Sequence, residues 1–119
     1  MDAEIRRVFS NDEEDFAARF VRLIGCEVIS RNSRRHGAEV DLLCRRRDSE
    51  EYFFFEVKKS RKAANAFYPP VSQAQLRRLV KAAKQMQQTA NRLLTVRICL
   101  LLVDLRRGSV ELLPDVQHP

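Results

Sequence analysis

Glu39 and Asp41 sit inside the apolar run "AEVDLLCR" (38–45), and Glu56 and Lys58 close the run "EYFFFEVKK" (51–59), straight after three phenylalanines. Charges are costly inside a sheet, because each loses hydration and like charges repel. A divalent cation reverses that balance. Asp41, Glu56 and the strand carbonyl of Val57 are hard oxygen donors of the kind that magnesium (or manganese) takes, with waters completing the octahedron. Lys58 lies two residues beyond Glu56, hence on the same face of a strand, where it can orient or help deprotonate an attacking water. A metal there polarises a phosphodiester and lowers the pKa of that water. These residue types and spacings point to phosphodiester hydrolysis, provided the two runs pair as a hairpin. A plainer arrangement has Glu56 and Lys58 as a ladder pair at an exposed strand end, with Asp41 solvated in a turn. The Phe53–Phe54–Phe55 context argues against an exposed face.

Such residues need a sheet to hold them. Ser10 with Glu13 reads as a capping box, and the acidic cluster around it suits the positive end of a helix. Phe16, Ala17, Phe20, Leu23 and Ile24 then follow helical spacing, and Gly25 ends the element. "CEVISRN" (26–32) reads as a strand and "SRRHG" (33–37) as a turn. Alternation along the second strand puts Val40, Leu42 and Cys44 on one face and Glu39, Asp41 and Leu43 on the other. In the third strand Tyr52, Phe54, Glu56 and Lys58 oppose Phe53, Phe55 and Val57. Aromatic residues on both faces suit a central strand covered from both sides.

A basic loop with two prolines, "SRKAANAFYPP" (60–70), leads to a long helix from Ser72. Its apolar stripe is Leu76, Leu79, Val80, Ala83, Met86 or Gln87, Ala90, Leu93 and Leu94, with Arg77, Arg78, Lys81 and Lys84 on the other side. "VRICLLLVD" (96–104) is an inner strand and "SVELL" (109–113) an edge strand. The order α-β-β-β-α-β-β predicts an α/β fold with a central mixed sheet flanked by helices. A single domain is expected over 1–119, with its core at about 10–113 and a frayed C-terminal tail.

The formal net charge of +6, from 22 Lys and Arg against 16 Asp and Glu, favours an anionic partner, with nucleic acid first. Arg34, Arg35, Lys59, Arg61 and Lys62 are placed in loops flanking the proposed site, where they would neutralise backbone phosphates without reading bases. No recognition helix, RNP-like aromatic pair or zinc finger is present to read a base sequence. No run approaches eighteen apolar residues, so no membrane span is expected, and the N-terminus lacks the layout of a signal peptide. Cys26, Cys44 and Cys99 are odd in number and each lies in apolar sequence, which fits buried packing thiols in a reducing compartment, the cytoplasm. His36, in the turn, and His118, in the tail, read as solvated.

Glu14 and Ala17 in the first helix, Gly25, Arg31–Asn32, "GAEVDLL" (37–43) and "FFEVKKS" (54–60) together resemble the YraN-type endonuclease family. That family is similar to the archaeal Holliday-junction resolvases of the PD-(D/E)xK, restriction-endonuclease-like superfamily. The resemblance runs from about residue 12 to 104. It implies a restriction-endonuclease-like fold, Asp41 and Glu56 as metal ligands, Lys58 as the catalytic lysine and Glu14 as an accessory carboxylate. It also implies that Gln75 supports the site from the second helix, although Ser72-x-x-Gln75 is equally a capping box. Glu39 matches an acidic position of the family and lies either toward the site or in the turn. The sequence departs from the family in three places. Acidic residues at 12 and 13 stand where Gly-x-x-Gly is usual, Ala38 separates Gly37 from Glu39, and Arg61 stands in for an arginine nearer the lysine.

The leading expectation is therefore a metal-dependent DNA endonuclease, with branched DNA as a candidate substrate and a homodimer implied by the likeness to junction resolvases. The alternative is a non-catalytic nucleic-acid-binding or assembly module on the same fold. RNA processing by the same chemistry stays open, since nothing here senses a 2′-hydroxyl.

Overall fold

The structure, a computed structural model, describes residues 12–60, 71–114 and 116. Among these residues seven elements follow in the predicted order: α1 (Asp12–Leu23), β1 (Cys26–Arg35), β2 (Ala38–Arg46), β3 (Glu51–Lys59), α2 (Gln73–Thr89), β4 (Thr95–Asp104) and β5 (Ser109–Leu113). All five strands join one mixed sheet in chain order, β1-β2-β3-β4-β5. Neighbours pair antiparallel except β3 and β4, which run parallel from Glu51 opposite Thr95 to Lys59 opposite Val103. Parallel neighbours need a long crossover, and α2 is that crossover.

β3 divides the core as its aromatic alternation predicts. Phe53 and Phe55 stack on one face, centroids 5.4 Å apart, and pack with Leu42, Leu101 and the α1 residues Ala17, Ala18 and Val21. Phe54 lies on the other face among Leu43, Val96, Ile98 and the α2 residues Leu79, Ala82 and Ala83. Each large apolar side chain removed from water this way contributes about 1.5–3 kcal/mol. The three cysteines are buried and none is in a disulfide; burial raises the Cys26 thiol and pushes Cys44 up to about 12.

The helix boundaries differ from expectation for local reasons. The buried stripe of α1 is Glu14, Ala17, Ala18 and Val21, spaced i, i+3, i+4, i+7. Leu23 is 86% exposed and Ile24 47% exposed. The small alanines bring this helix close to the sheet, and Gly25, with φ of 99°, swings the chain into β1 before the stripe gains another turn. α2 ends at Thr89, where the Ala90 N–H bonds the Met86 carbonyl and Ala90 turns extended. Leu93, expected in the stripe, is consequently 95% exposed, and Gln87 is exposed, while Leu94 packs on the core. The Ser10 half of the proposed capping box lies outside the described residues.

β1 is longer than "CEVISRN". It runs to Arg35, which pairs with Ala38 across a turn of only His36 and Gly37. Their φ angles of 49° and 88° are both positive, as a two-residue type I′ hairpin requires, and glycine adopts its angle without strain. The strand absorbs its length through a register slip between Val28 and Ser30 and through Asn32, whose φ is 50°.

Candidate active site

The β2–β3 ladder runs from Arg45 opposite Tyr52 to Leu42 opposite Phe55 and stops there. One step further along this register, Asp41 meets Glu56. The Asp41 Oδ2 accepts the Val57 N–H at 2.8 Å, so a side chain takes the place of a ladder carbonyl. β1 is disturbed at the same level: Asn32 lies between the pairs Arg31–Leu42 and Ser33–Val40 and adopts the left-handed conformation, which Asn tolerates better than most residues. Side-chain alternation on β2 breaks here too. Leu42 and Cys44 pack toward α1, whereas Ala38 and Val40 pack with Leu43 toward α2. Val40 therefore does not share a face with Leu42, as simple alternation predicts, because the strand is distorted at Asp41. The result is a cleft of about 610 Å³ at the fork, reached by Glu14 from α1 on one side and by Gln75 and Arg78 from α2 on the other.

Glu56 is only 4% exposed. Burial first, then the hydrogen bond and charge of Asp41, push its carboxyl up to about 9; Lys58 pulls the other way and Glu39 adds to the rise. Two carboxyls that share a hydrogen bond in a buried cleft need either a proton or a cation between them. Gln75 Nε2 donates to Glu56 Oε2. The Ser72 half of the capping box does form, with Ser72 Oγ accepting the Gln75 N–H at 3.1 Å. The Gln75 side chain, however, is turned to Glu56. Half-buried Lys58 lines the cleft beside it.

Val57 also lines the fork. A strand residue points its N–H and C=O to the same edge. The Val57 N–H is on Asp41, and the Ser60 N–H, of opposite parity, bonds the Val103 carbonyl on β4. The Val57 carbonyl accordingly faces the fork.

Glu14 is 3% exposed and accepts the Asn32 amide at 2.8 Å, with Arg31 at 3.6 Å. Its carboxyl is raised chiefly by burial; Asn32 opposes the rise, Asp41 adds to it and Arg31 opposes it. Asn32 and Arg31 belong to the motif that carries the family resemblance, yet sequence assigns them no role. A signal was present, since Asn is depleted from strands unless the backbone needs it. Arg78 was also missed, although one helical turn separates it from Gln75.

The remaining predicted residues divide. Arg34 and Glu39 line the cleft. Arg35 does not: because β1 continues through it, its side chain takes the opposite face and reaches Ser30 Oγ at 3.4 Å. Lys59 is exposed and outside the cleft lining, opposite in parity to Lys58. His36 is exposed. Arg61 and Lys62 lie outside the described residues.

Among the described residues, no three His, Cys, Asp or Glu side chains converge as a metal cage. The donors at the fork are Asp41, Glu56 and the Val57 carbonyl. Magnesium is commonly held this sparsely, by one or two carboxylates with waters and substrate oxygens, so the residues fit such an ion.

A five-stranded mixed sheet with a helix on each face, in the order α-β-β-β-α-β-β, is the α/β arrangement expected from the sequence. The chain belongs to the Uncharacterised protein family UPF0102, the YraN family, which it matches over residues 13–103. No curated protein matches it. Among solved structures, SfsA of Pyrococcus furiosus in complex with Ca2+ is similar, with 15% identity and a TM-score of 0.41 over 91% of this chain and 62% of that one. The chain thus spans less than two thirds of that protein. Among the described residues, no helix is long and apolar enough to cross a membrane.

Proposed function

We propose that this protein is a metal-dependent endonuclease hydrolysing phosphodiester bonds in DNA, with branched, junction-like DNA as its candidate substrate. The observation that carries the reading is the Asp41–Glu56 pair, two carboxyls forced together at a break in the sheet and flanked by Lys58. Asp41, Glu56 and the Val57 carbonyl would hold magnesium or manganese, which when bound polarises the phosphodiester and makes water a better nucleophile. The Val57 N–H fixes the Asp41 carboxylate, and the Gln75 amide fixes Glu56. Lys58 orients the attacking water or balances charge on the phosphate, and Glu14 adds negative charge from behind the fork. A homodimer acting in the cytoplasm would present two such clefts to the two strands of a junction.

A second reading is favoured by the sparse donor set: a nucleic-acid-binding module that keeps the fold without turnover. Labelled four-way junction, linear duplex and single-stranded DNA, each incubated with magnesium, manganese or chelator, separate the two. Cutting that requires metal is the expected result, with the junction cut fastest. Binding of all three DNAs without cutting under either metal would establish the module instead.

A further inference from the structure

Several basic side chains away from the cleft are neutralised: Arg45 by Glu27, Arg46 and Arg97 both by Glu51, Arg92 by Glu50 and Arg107 by Asp104. Exposed pairs of this kind contribute at most about 1 kcal/mol each, so their main effect is to cancel charge. α2 is different. It contains no acidic residue, and Arg77, Arg78, Lys81 and Lys84 are all exposed. None of the four pairs with a carboxylate among the described residues.

Arg77, Lys81 and Lys84 are spaced i, i+4, i+7 and form one stripe along the helix. Arg78, three residues before Lys81 and so its neighbour on the helix surface, lines the cleft with Gln75. A line of positive charge, without a carboxylate partner among the described residues, therefore runs along α2 for about 10 Å at ~1.5 Å per residue and meets the cleft at Arg78. That length matches about three base pairs of duplex at ~3.4 Å each.

We infer that the Arg77–Lys81–Lys84 stripe is a phosphate-binding track for nucleic acid, holding the backbone on one side of the bond presented to the cleft. The inference rests on the nuclease reading of that cleft and adds the direction in which substrate leaves it. The stripe also borders a groove floored by Leu76, Val80 and Val116, whose rim would attract an acidic amphipathic peptide as well. Continuity with the cleft through Arg78 decides for nucleic acid.

The test is fluorescence anisotropy of labelled duplex DNA with the full chain, in chelator so that nothing is cut, over a range of sodium chloride concentrations. Arg77→Gln/Lys81→Gln/Lys84→Gln is expected to flatten the slope of log Kd against log salt by about 2–3, at ~0.9 per lost phosphate contact. Arg19→Gln/Arg22→Gln/Arg106→Gln removes the same charge from exposed positions on α1 and the β4–β5 turn; it is expected to keep the wild-type slope. Equal flattening in both variants would reduce the effect to net charge and overturn the track. A wild-type chain that cuts DNA while the stripe variant keeps the wild-type slope overturns the track and leaves the nuclease reading standing. A wild-type chain with no salt-dependent DNA binding overturns both. Loss of polyglutamate binding in the stripe variant, with DNA binding kept, would reassign the stripe to an acidic protein partner.

Discussion

Asp41→Asn is expected to lower metal-dependent DNA cleavage by about 1,000-fold, the scale on which removal of a preorganised electrostatic group is felt, without disturbing the fold. An asparagine oxygen can still accept the Val57 N–H that Asp41 accepts at 2.8 Å, so the fork keeps its shape. What disappears is a hard negative ligand and the charge that helps raise both Glu56 and Glu14. DNA affinity is expected to hold or rise, since one source of repulsion toward phosphate is gone. Initial cleavage rates read beside a thermal melt check this. A variant that melts like the wild type and cuts like it would place the chemistry elsewhere.

Glu56→Gln is expected to stabilise the metal-free protein at alkaline pH by roughly 1–3 kcal/mol, the cost of keeping a buried charged group poorly satisfied. In a domain of this size that is a rise in Tm of roughly 5 °C or more. The direction follows from the raised carboxyl. A group held up to about 9 in the folded chain and near its ordinary value of 4.5 when unfolded binds its proton more tightly in the native state. Its stabilising contribution is complete below about pH 4.5 and is lost as pH climbs toward 9. The wild-type melt in chelator should therefore fall through that window, and the glutamine variant should fall much less. Glu14, raised in the same direction, leaves a residual slope. Magnesium should reverse the ranking at pH 8, because it stabilises only the chain that keeps both carboxylates. Parallel melting curves for the two chains across the whole range would show that Glu56 is not held protonated by its surroundings.

The parts of this architecture that depend on residue type and two-residue alternation were legible in the sequence. Glu56, Lys58 and Phe54 share a face of β3 as predicted, and the seven elements follow in the predicted order. What sequence alone could not show arises where one strand answers to another. The fork at Asp41 depends on Asn32 taking a left-handed turn one strand away, and no pattern within "AEVDLLCR" reports a neighbour's backbone. Arg34 and Arg35 look equivalent in "SRRHG", yet three more residues of strand put them on opposite faces. Gln75 has two uses that a sequence cannot rank, and its backbone takes the cap while its side chain takes Glu56. Leu23 fits the helical spacing but lies at the end of a helix that stops before the spacing matters.

The order of strands in the sheet also sets a schedule for folding. β1, β2 and β3 are joined through residues 36–37 and 47–50, whereas β3 reaches β4 only after residues 60–94 have been closed into a loop. Short closures cost less entropy and come first. Asp41 and Glu56 are thereby brought face to face in the three-stranded meander before α2 can deliver the Gln75 amide. Their mutual repulsion then falls on the barrier as well as on the finished state, so refolding should quicken as pH drops or magnesium is added. Stopped-flow refolding at two pH values would detect this. A folding rate indifferent to pH, with unfolding carrying all the dependence, would mean that the crossover closes before the carboxylates meet.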